Sequence, residues 1–71
     1  MNICRIDGDY IQLNQFLKKV NIAASGGEAR VMIENGIVMV NGIVAHEIRK
    51  KLRHNDRIMI NGQDEYQIVT E

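Results

Sequence analysis

The Asn-Gly pair at residues 41–42 constrains the fold of this chain more than any other feature. It lies between two short apolar runs, 37–40 and 43–45. Asn-Gly readily adopts the left-handed backbone of a two-residue turn, so this pattern is the strongest short-range signal for a β-hairpin. We therefore predict two antiparallel strands in the middle of the sequence. A second Asn-Gly pair, at 35–36, follows a helical pattern, and we expect it to end a helix.

A first amphipathic helix is predicted before that point, starting near Gln12. Its apolar residues have the i, i+3, i+4, i+7 spacing of one helix face. They are Leu13, Phe16, Leu17 and Val20. Lys18 and Lys19 fall in the last turn, where cations interact favourably with the helix dipole. That position explains the two lysines as well as a binding role does.

A second helix is predicted to begin at Gly26. Ser25 and Glu28 have the capping-box spacing, in which each side chain satisfies a free backbone N–H of the other residue. The predicted buried face consists of Ala29, Met32 and Ile33. Gly26 and Gly27 are poor helix formers. Their presence in the first turn indicates that something approaches the backbone closely there, either the first helix or a ligand.

Further strands are predicted at 3–6, 57–60 and 66–69, with a turn at Asn61-Gly62 between the last two. The predicted order is strand, helix, helix, hairpin, basic connection, hairpin. Such an order indicates an α+β fold, in which two packed helices cover one side of a small antiparallel sheet.

The size of the chain limits its function. Seventy-one residues predict a single domain, 1–71, which buries about 60% of the surface of the unfolded chain and leaves little room for an enclosed active site. Cys4 is the only cysteine, and the sequence has neither a glycosylation sequon nor a secretory signal, so we expect a cytoplasmic protein. The apolar runs are far shorter than the roughly 18 residues of a membrane span, so no membrane partner is expected.

The cations of this chain are concentrated in one run. Five of its nine Lys and Arg residues lie between Arg49 and Arg57, although the net charge is zero. We interpret the run as an irregular connection with Leu52 as its buried anchor. It is either an ordinary solvated loop or one half of an anion-binding site.

The other half of such a site is the start of the second helix. A helix N-terminus presents free N–H groups and a partial positive charge, both of which favour phosphate. Arg30 lies about one turn into that helix. Its alternative role is an ion pair with Glu34 at i+4, which contributes only about 0.2–0.5 kcal/mol.

Catalytic and metal-binding patterns are not found. His46 and His54 lack cysteine or acidic partners at metal-ligand spacing, and no glycine-rich nucleotide loop occurs, so we expect no metal, cofactor, small-molecule substrate or enzymatic activity. Tyr10, Phe16 and Tyr66 are the only aromatic residues, and none lies in the basic run. Stacking on single-stranded bases is therefore not expected. A nucleic acid bound at this surface would instead be recognised through its backbone and shape, as structured RNA is.

These residues resemble the αL RNA-binding motif, the domain family named after ribosomal protein S4. The similarity covers Ile11 to Ile60. It is carried by the segments Leu13–Lys18, Ser25–Arg30, Gly36–Gly42, Arg49–Leu52 and Asn55–Asp56. The sequence is most similar to the small stand-alone bacterial version of that domain. The resemblance implies two helices on a small antiparallel or mixed sheet, and binding to structured ribosomal or transfer RNA, with the ribosome as a further expected partner.

The resemblance also implies which residues bind RNA. Matched positions are Lys18, Ser25, Gly26, Gly27, Arg30, Lys50 and Lys51; the neighbouring cations Lys19, Arg49 and Arg53 complete the predicted set. Two positions differ from the family pattern. Many relatives carry arginine at Gly26, and single-domain relatives often have Arg-Arg-Gly in place of 47–49.

An alternative function is left open by the sequence. The chain is neutral, and Ile37 and Met39 make both faces of one predicted strand apolar. These features are also expected of a ribosome-associated or protein-interaction adaptor with weak or no RNA affinity.

Overall fold

The computed structural model describes residues 1–71 and contains two helices and seven strands. In chain order, the elements are β1 (Asn2–Ile6), β2 (Tyr10–Gln12), α1 (Leu13–Lys19), α2 (Gly26–Glu34), β3 (Val38–Val40), β4 (Ile43–Val44), β5 (Lys51–Arg53), β6 (Arg57–Ile60) and β7 (Asp64–Thr70). The helices have seven and nine residues, and neither could span a membrane.

Five of the strands form one sheet in the order β1-β7-β6-β3-β4. Strand β3 is antiparallel to both β4 and β6, and β6 is antiparallel to β7. Strand β1, in contrast, runs parallel to β7. The sheet is therefore mixed. The two helices contribute to a common hydrophobic core with this sheet, and the α+β prediction is confirmed.

The core contains 15 buried residues, all of them hydrophobic. The helices contribute Leu13, Phe16, Leu17, Ala29 and Ile33, which follow the predicted helical spacing. Strands contribute every second residue, as the alternation of a half-buried strand requires. Val20 and Met32, which were predicted on the buried faces, are only partly buried.

The ends of α2 follow from its sequence. The Ser25 hydroxyl accepts a hydrogen bond from the Glu28 N–H at 3.2 Å, which confirms the predicted N-cap. Only this half of the capping box forms, because the Glu28 carboxylate makes no hydrogen bond to the Ser25 backbone. At the other end, Gly36 has φ +73°, the left-handed conformation expected after the last helical turn.

The predicted central hairpin is confirmed. Asn41 and Gly42 have φ angles of 52° and 82°, and they connect β3 to β4. Asn61 and Gly62 adopt a similar conformation between β6 and β7. Both turns rely on the tolerance of Asn and Gly for positive φ.

The prediction of an irregular basic connection is wrong for its central part. Lys51–Arg53 form β5, which pairs with the unpredicted β2 in a separate two-stranded antiparallel sheet. Leu52 is fully buried between its charged neighbours, as predicted. Three residues are too short for a recognisable alternation, and the partner strand lies about forty positions earlier. This pairing therefore has no local sequence signal.

The basic run also caps α1. Leu13 and Asn14 in the first turn donate their backbone N–H groups to the carbonyls of Lys50 and Ile48, at 2.8 and 3.1 Å. Gln12, the residue before the helix, makes no side-chain cap. Carbonyls from a distant segment thus satisfy N–H groups that a helix start leaves free. This contact holds the basic run against the beginning of α1.

Candidate nucleic-acid interface

The N-terminus of α2 keeps two amide donors free. Ser25 accepts from Glu28 through its hydroxyl, and its carbonyl accepts from the Ala29 N–H at 3.0 Å. Gly26 and Gly27 lie between Ser25 and Glu28, at the very start of the helix. Their N–H groups therefore have no intrahelical acceptor. In contrast to α1, no distant carbonyl covers this helix start. The two amides lie at the positive end of the α2 dipole and remain available to an anion.

The space in front of these glycines is open. A Cβ atom added at Gly26 would meet no atom within 4 Å, and one added at Gly27 would meet only the Ser25 Oγ at 3.9 Å. The first helix therefore does not approach the backbone here, and that alternative is wrong. Neither residue has a positive φ angle. Packing within the protein thus does not require glycine at either position.

A shallow surface groove runs past these amides, with a volume of about 470 Å³. It is lined by Asn14, Gly26, Gly27, Arg30, Ile48 and Arg49. The hydrogen bond from the Asn14 N–H to the Ile48 carbonyl explains how the groove is formed. It holds the residues at the start of the basic run beside the first turn of α1. The groove therefore combines two free amides with two arginines.

Two polar features of the groove affect what it could bind. Arg30 donates to the Glu34 carboxylate at 3.2 Å, so its predicted alternative partner is present. Both side chains are more than half exposed, and such a pair contributes little to stability. Asn14 carries a buried amide oxygen, Oδ1, without a hydrogen-bond partner. Of these two groups, the exposed Arg30 guanidinium is the one that an anionic ligand in the groove could engage.

Arg49 and Lys50 diverge despite being neighbours in sequence. Arg49 lines the groove, whereas Lys50 lines a second surface cavity of about 310 Å³ beside the β3–β4 hairpin. That cavity also contains His46 and Glu47. Lys51, the other member of the predicted basic pair, lies over the Tyr10 ring, so Lys50 and Lys51 have different surroundings.

Lys18 and Lys19 are exposed in the last turn of α1, as predicted. Neither lysine lines the groove. Lys19 lies close enough to β1 to influence Cys4: burial raises the pKa of the Cys4 thiol, and the positive charge of Lys19 partly lowers it. The structure therefore does not place these two lysines in the groove that Arg49 lines.

Lys51 and Arg53 lie beside an aromatic ring, although the basic run itself contains no aromatic residue. The Lys51 Nζ lies 4.8 Å from the centroid of the Tyr10 ring, and the Arg53 Cζ lies 5.7 Å from it. Both distances fall within the range of cation–π contacts. Tyr10 was not predicted as a site residue, because only the β2–β5 pairing brings it beside the basic run.

His54 has a structural contact within the fold. The His54 Nδ1 accepts from the Thr70 N–H at 3.0 Å, which ties the end of β7 to the loop after β5. No three His, Cys, Asp or Glu side chains come together as a group that could hold a metal ion.

Comparison with known proteins identifies the family. The sequence model of the S4 domain matches residues 4–69, nearly the whole chain. The chain belongs to the S4 domain family. The predicted resemblance to this family is thereby confirmed. The groove described above lies between the start of α2 and the basic run of this S4 domain.

Two related proteins extend the comparison. The S4 domain is 34% identical over 68 residues to the "Probable ribosome maturation protein RlbA" of Bacillus subtilis (strain 168), covering 96% of each chain. It is also similar to the crystal structure of the 30S ribosomal protein S4e from Thermoplasma acidophilum, with a TM-score of 0.63 and 25% sequence identity. That match covers 84% of the present chain and 31% of S4e. The S4 domain therefore spans about a third of that ribosomal protein.

Proposed function

We propose that this S4 domain is a non-catalytic RNA-binding module, 1–71, that recognises structured ribosomal or transfer RNA in the cytoplasm. One observation carries the proposal. The free amides of Gly26 and Gly27 line the same open groove as Arg30 and Arg49. Amide donors at a helix N-terminus and guanidinium groups are two common ways in which proteins bind phosphate.

A phosphate in this groove would accept hydrogen bonds from the two amides. Arg49 would add a charge-assisted contact, which the planar guanidinium can make bidentate. Arg30 would do the same after leaving Glu34, which it can do at little cost because the pair is exposed. Contacts of this kind read backbone geometry and not base identity, as is usual for base-paired RNA.

The family and the relatives favour ribosomal RNA among the structured RNAs. The related Bacillus subtilis protein is named as a probable ribosome maturation protein, and the S4e structure is that of a 30S ribosomal protein. We therefore propose a ribosome-associated role for the present S4 domain. Lys18, Lys19, Ser25, Lys50, Lys51 and Arg53 stay in the proposed RNA-binding set, with Lys18, Lys19 and Lys50 as peripheral members outside the groove.

Filter binding to purified ribosomal RNA at several salt concentrations tests this proposal. If Arg30, Arg49, Lys51 and Arg53 each neutralise one phosphate, the log–log slope of affinity against salt should be roughly −3 to −4. Binding that is absent at low salt, or that does not respond to salt, contradicts the proposal.

Arg49 and Lys50 provide a matched pair of variants for the same assay. Arg49→Glu replaces a cation by an acid in the groove. Lys50→Glu makes the same change of charge beside the β3–β4 hairpin. We expect the Arg49 variant to lose at least tenfold more affinity than the Lys50 variant. Equal losses would show that overall charge, and not the groove, determines binding.

A protein-interaction adaptor is the second candidate function. Ile43 and Val44 form the edge strand β4, and Ile43 is 72% exposed. Met39 lies beside Val44 and Met59 on the sheet, whereas Ile37 packs against the core and is not available. Affinity purification with and without nuclease separates the two functions, because partners held only through RNA are lost after digestion.

A further inference from the structure

We propose that Tyr10, Lys51 and Arg53 form a second RNA contact, which binds an unpaired base and its adjacent phosphates. The ring of Tyr10 would stack on the base while the two cations bind the backbone. The ligand is thus a single-stranded nucleotide segment next to structured RNA. This inference rests on the proposed RNA-binding function and adds a site to it.

The β2–β5 pairing builds this cluster. Tyr10 lies directly opposite Arg53, and Lys51 lies opposite Gln12, two residues along the ladder. Leu52 is buried, so its neighbours Lys51 and Arg53 point to the opposite, exposed face. Long side chains at direct and diagonal positions of such a pair can reach each other. The two cations therefore meet the Tyr10 ring at 4.8 and 5.7 Å.

The cluster is incompletely satisfied within the protein. Tyr10 is 41% exposed, and its hydroxyl makes no hydrogen bond. Neither Lys51 nor Arg53 has an acidic partner, because the Arg30–Glu34 contact is the only ion pair in the structure. The other tyrosine differs: Tyr66 is half-buried and packs edge-on against Phe16, with ring centroids 5.4 Å apart. Tyr66 thus contributes to packing, whereas Tyr10 lies at the surface.

A nucleotide matches both components of this cluster. Its base can stack on an exposed aromatic ring, and its phosphates attract lysine and arginine away from the ring face. A purely acidic peptide would engage only the cations. Stacking of this kind tolerates any base, because every base has a π face. The aromatic ring therefore favours RNA over an acidic protein as the occupant.

The cluster is close enough to the groove to contact the same RNA. Arg49 lines the groove, and Arg53 lies only four residues later. Four residues span at most about 14 Å between Cα atoms. An RNA whose paired region occupies the groove could therefore extend an unpaired segment over Tyr10.

Tyrosine fluorescence provides the direct test. The chain has no tryptophan and two tyrosines, so in the Tyr66→Phe variant all tyrosine fluorescence comes from Tyr10. The probes are oligoadenylate and inorganic polyphosphate at matched phosphate concentration, with correction for adenine absorbance. We expect oligoadenylate to quench Tyr10 several-fold more than polyphosphate, because only adenine can stack. Equal quenching by both, or none by oligoadenylate, overturns the inference.

Affinity measurements on Tyr10 variants provide the second readout. Tyr10→Leu removes the π system and should weaken oligoadenylate binding about tenfold, or about 1.4 kcal/mol, with little effect on polyphosphate. Tyr10→Phe keeps the ring and should bind as the wild type does. Unchanged oligoadenylate binding by Tyr10→Leu overturns the inference. If that variant fails to fold in a thermal melt, the fluorescence result alone decides.

Failure of this inference is distinguishable from failure of the proposed function. If ribosomal RNA binds the wild type and is lost in Arg49→Glu, while oligoadenylate does not quench Tyr10, the groove proposal stands and the stacking site is rejected. If ribosomal RNA does not bind the wild type at all, the proposed function is rejected, whatever happens at Tyr10.

Discussion

Asn41 and Asp56 connect two turns that are fifteen residues apart in the sequence. The Asn41 side-chain amide donates to the Asp56 carboxylate at 3.0 Å. The side-chain carbonyl oxygen of Asn41 accepts from the Arg57 N–H at 2.9 Å. The second carboxylate oxygen of Asp56 accepts from the Arg53 N–H at 2.8 Å. These bonds join the β3–β4 turn to the β5–β6 turn. They thereby hold the end of the basic run against the main sheet.

This network predicts an unusual cost for Asn41→Ala. The substitution removes two side-chain hydrogen bonds, each contributing about 0.5–1.5 kcal/mol, and places alanine at φ 52°. Asn61→Ala is the matched control, because Asn61 has the same φ of 52° and makes no side-chain hydrogen bond. Urea denaturation should show that Asn41→Ala loses about 1–2 kcal/mol more than Asn61→Ala. Equal losses would show that the network does not contribute to stability.

Removal of the α2 cap is expected to destabilise the protein. Ser25→Ala loses the hydrogen bond to the Glu28 N–H and should lower the free energy of unfolding by about 1 kcal/mol. Ser25→Asp keeps an acceptor at the same position and should retain most of the stability. Chemical denaturation of the three proteins measures both effects. A Ser25→Ala variant as stable as the wild type would contradict the assigned helix start.

Gly26→Ala separates folding from binding. Alanine fits the open space and the ordinary φ of this position, so the helix should gain up to about 1 kcal/mol. Alanine keeps the backbone N–H that would bind phosphate, and many relatives carry the larger arginine here, so affinity for ribosomal RNA should stay close to that of the wild type. Gly42→Ala is the contrasting control: it also faces open space, but its φ of +82° should make alanine destabilising. A Gly26→Ala variant less stable than the wild type would show that the first turn of α2 does require glycine for folding.

Glu34 is predicted to compete with RNA for Arg30. Glu34→Gln removes the only ion pair and should lower stability by about 0.2–0.5 kcal/mol. The same change frees the Arg30 guanidinium and removes a negative charge near the groove. Affinity for ribosomal RNA at low salt should therefore rise, whereas Arg30→Gln should lower it. If both variants reduce affinity equally, the ion pair positions Arg30 for binding.

Cys4 is expected to make stability fall at high pH. Burial raises the pKa of its thiol above the ordinary value of 9.0, so the unfolded chain ionises first as the pH rises. Stability is therefore independent of this group below that value. Above it, the loss is at most about 1.4 kcal/mol per pH unit, until the folded thiol also ionises. Denaturation of wild type and Cys4→Ala between neutral and alkaline pH should show this difference; parallel curves would contradict it.

Local patterns in the sequence were sufficient for most of the secondary structure. The apolar spacing of Leu13, Phe16 and Leu17 predicted α1, and the Ser25 cap and Gly36 predicted the ends of α2. Asn41-Gly42 predicted the central hairpin. Each of these signals acts within a few residues, where backbone preference and side-chain period determine the conformation. They were therefore readable without tertiary information.

The geometry of the candidate site depended on contacts that are distant in sequence. Pairing of β2 with β5 brings Tyr10 to Lys51 and Arg53, and Asn14 draws Ile48 to the groove. The sequence alone determined the helices, the hairpin and the presence of a basic run. Only the tertiary structure decided that Arg49 faces the groove while Lys50 faces away, because side-chain direction there depends on hydrogen bonds to a segment about 35 residues earlier.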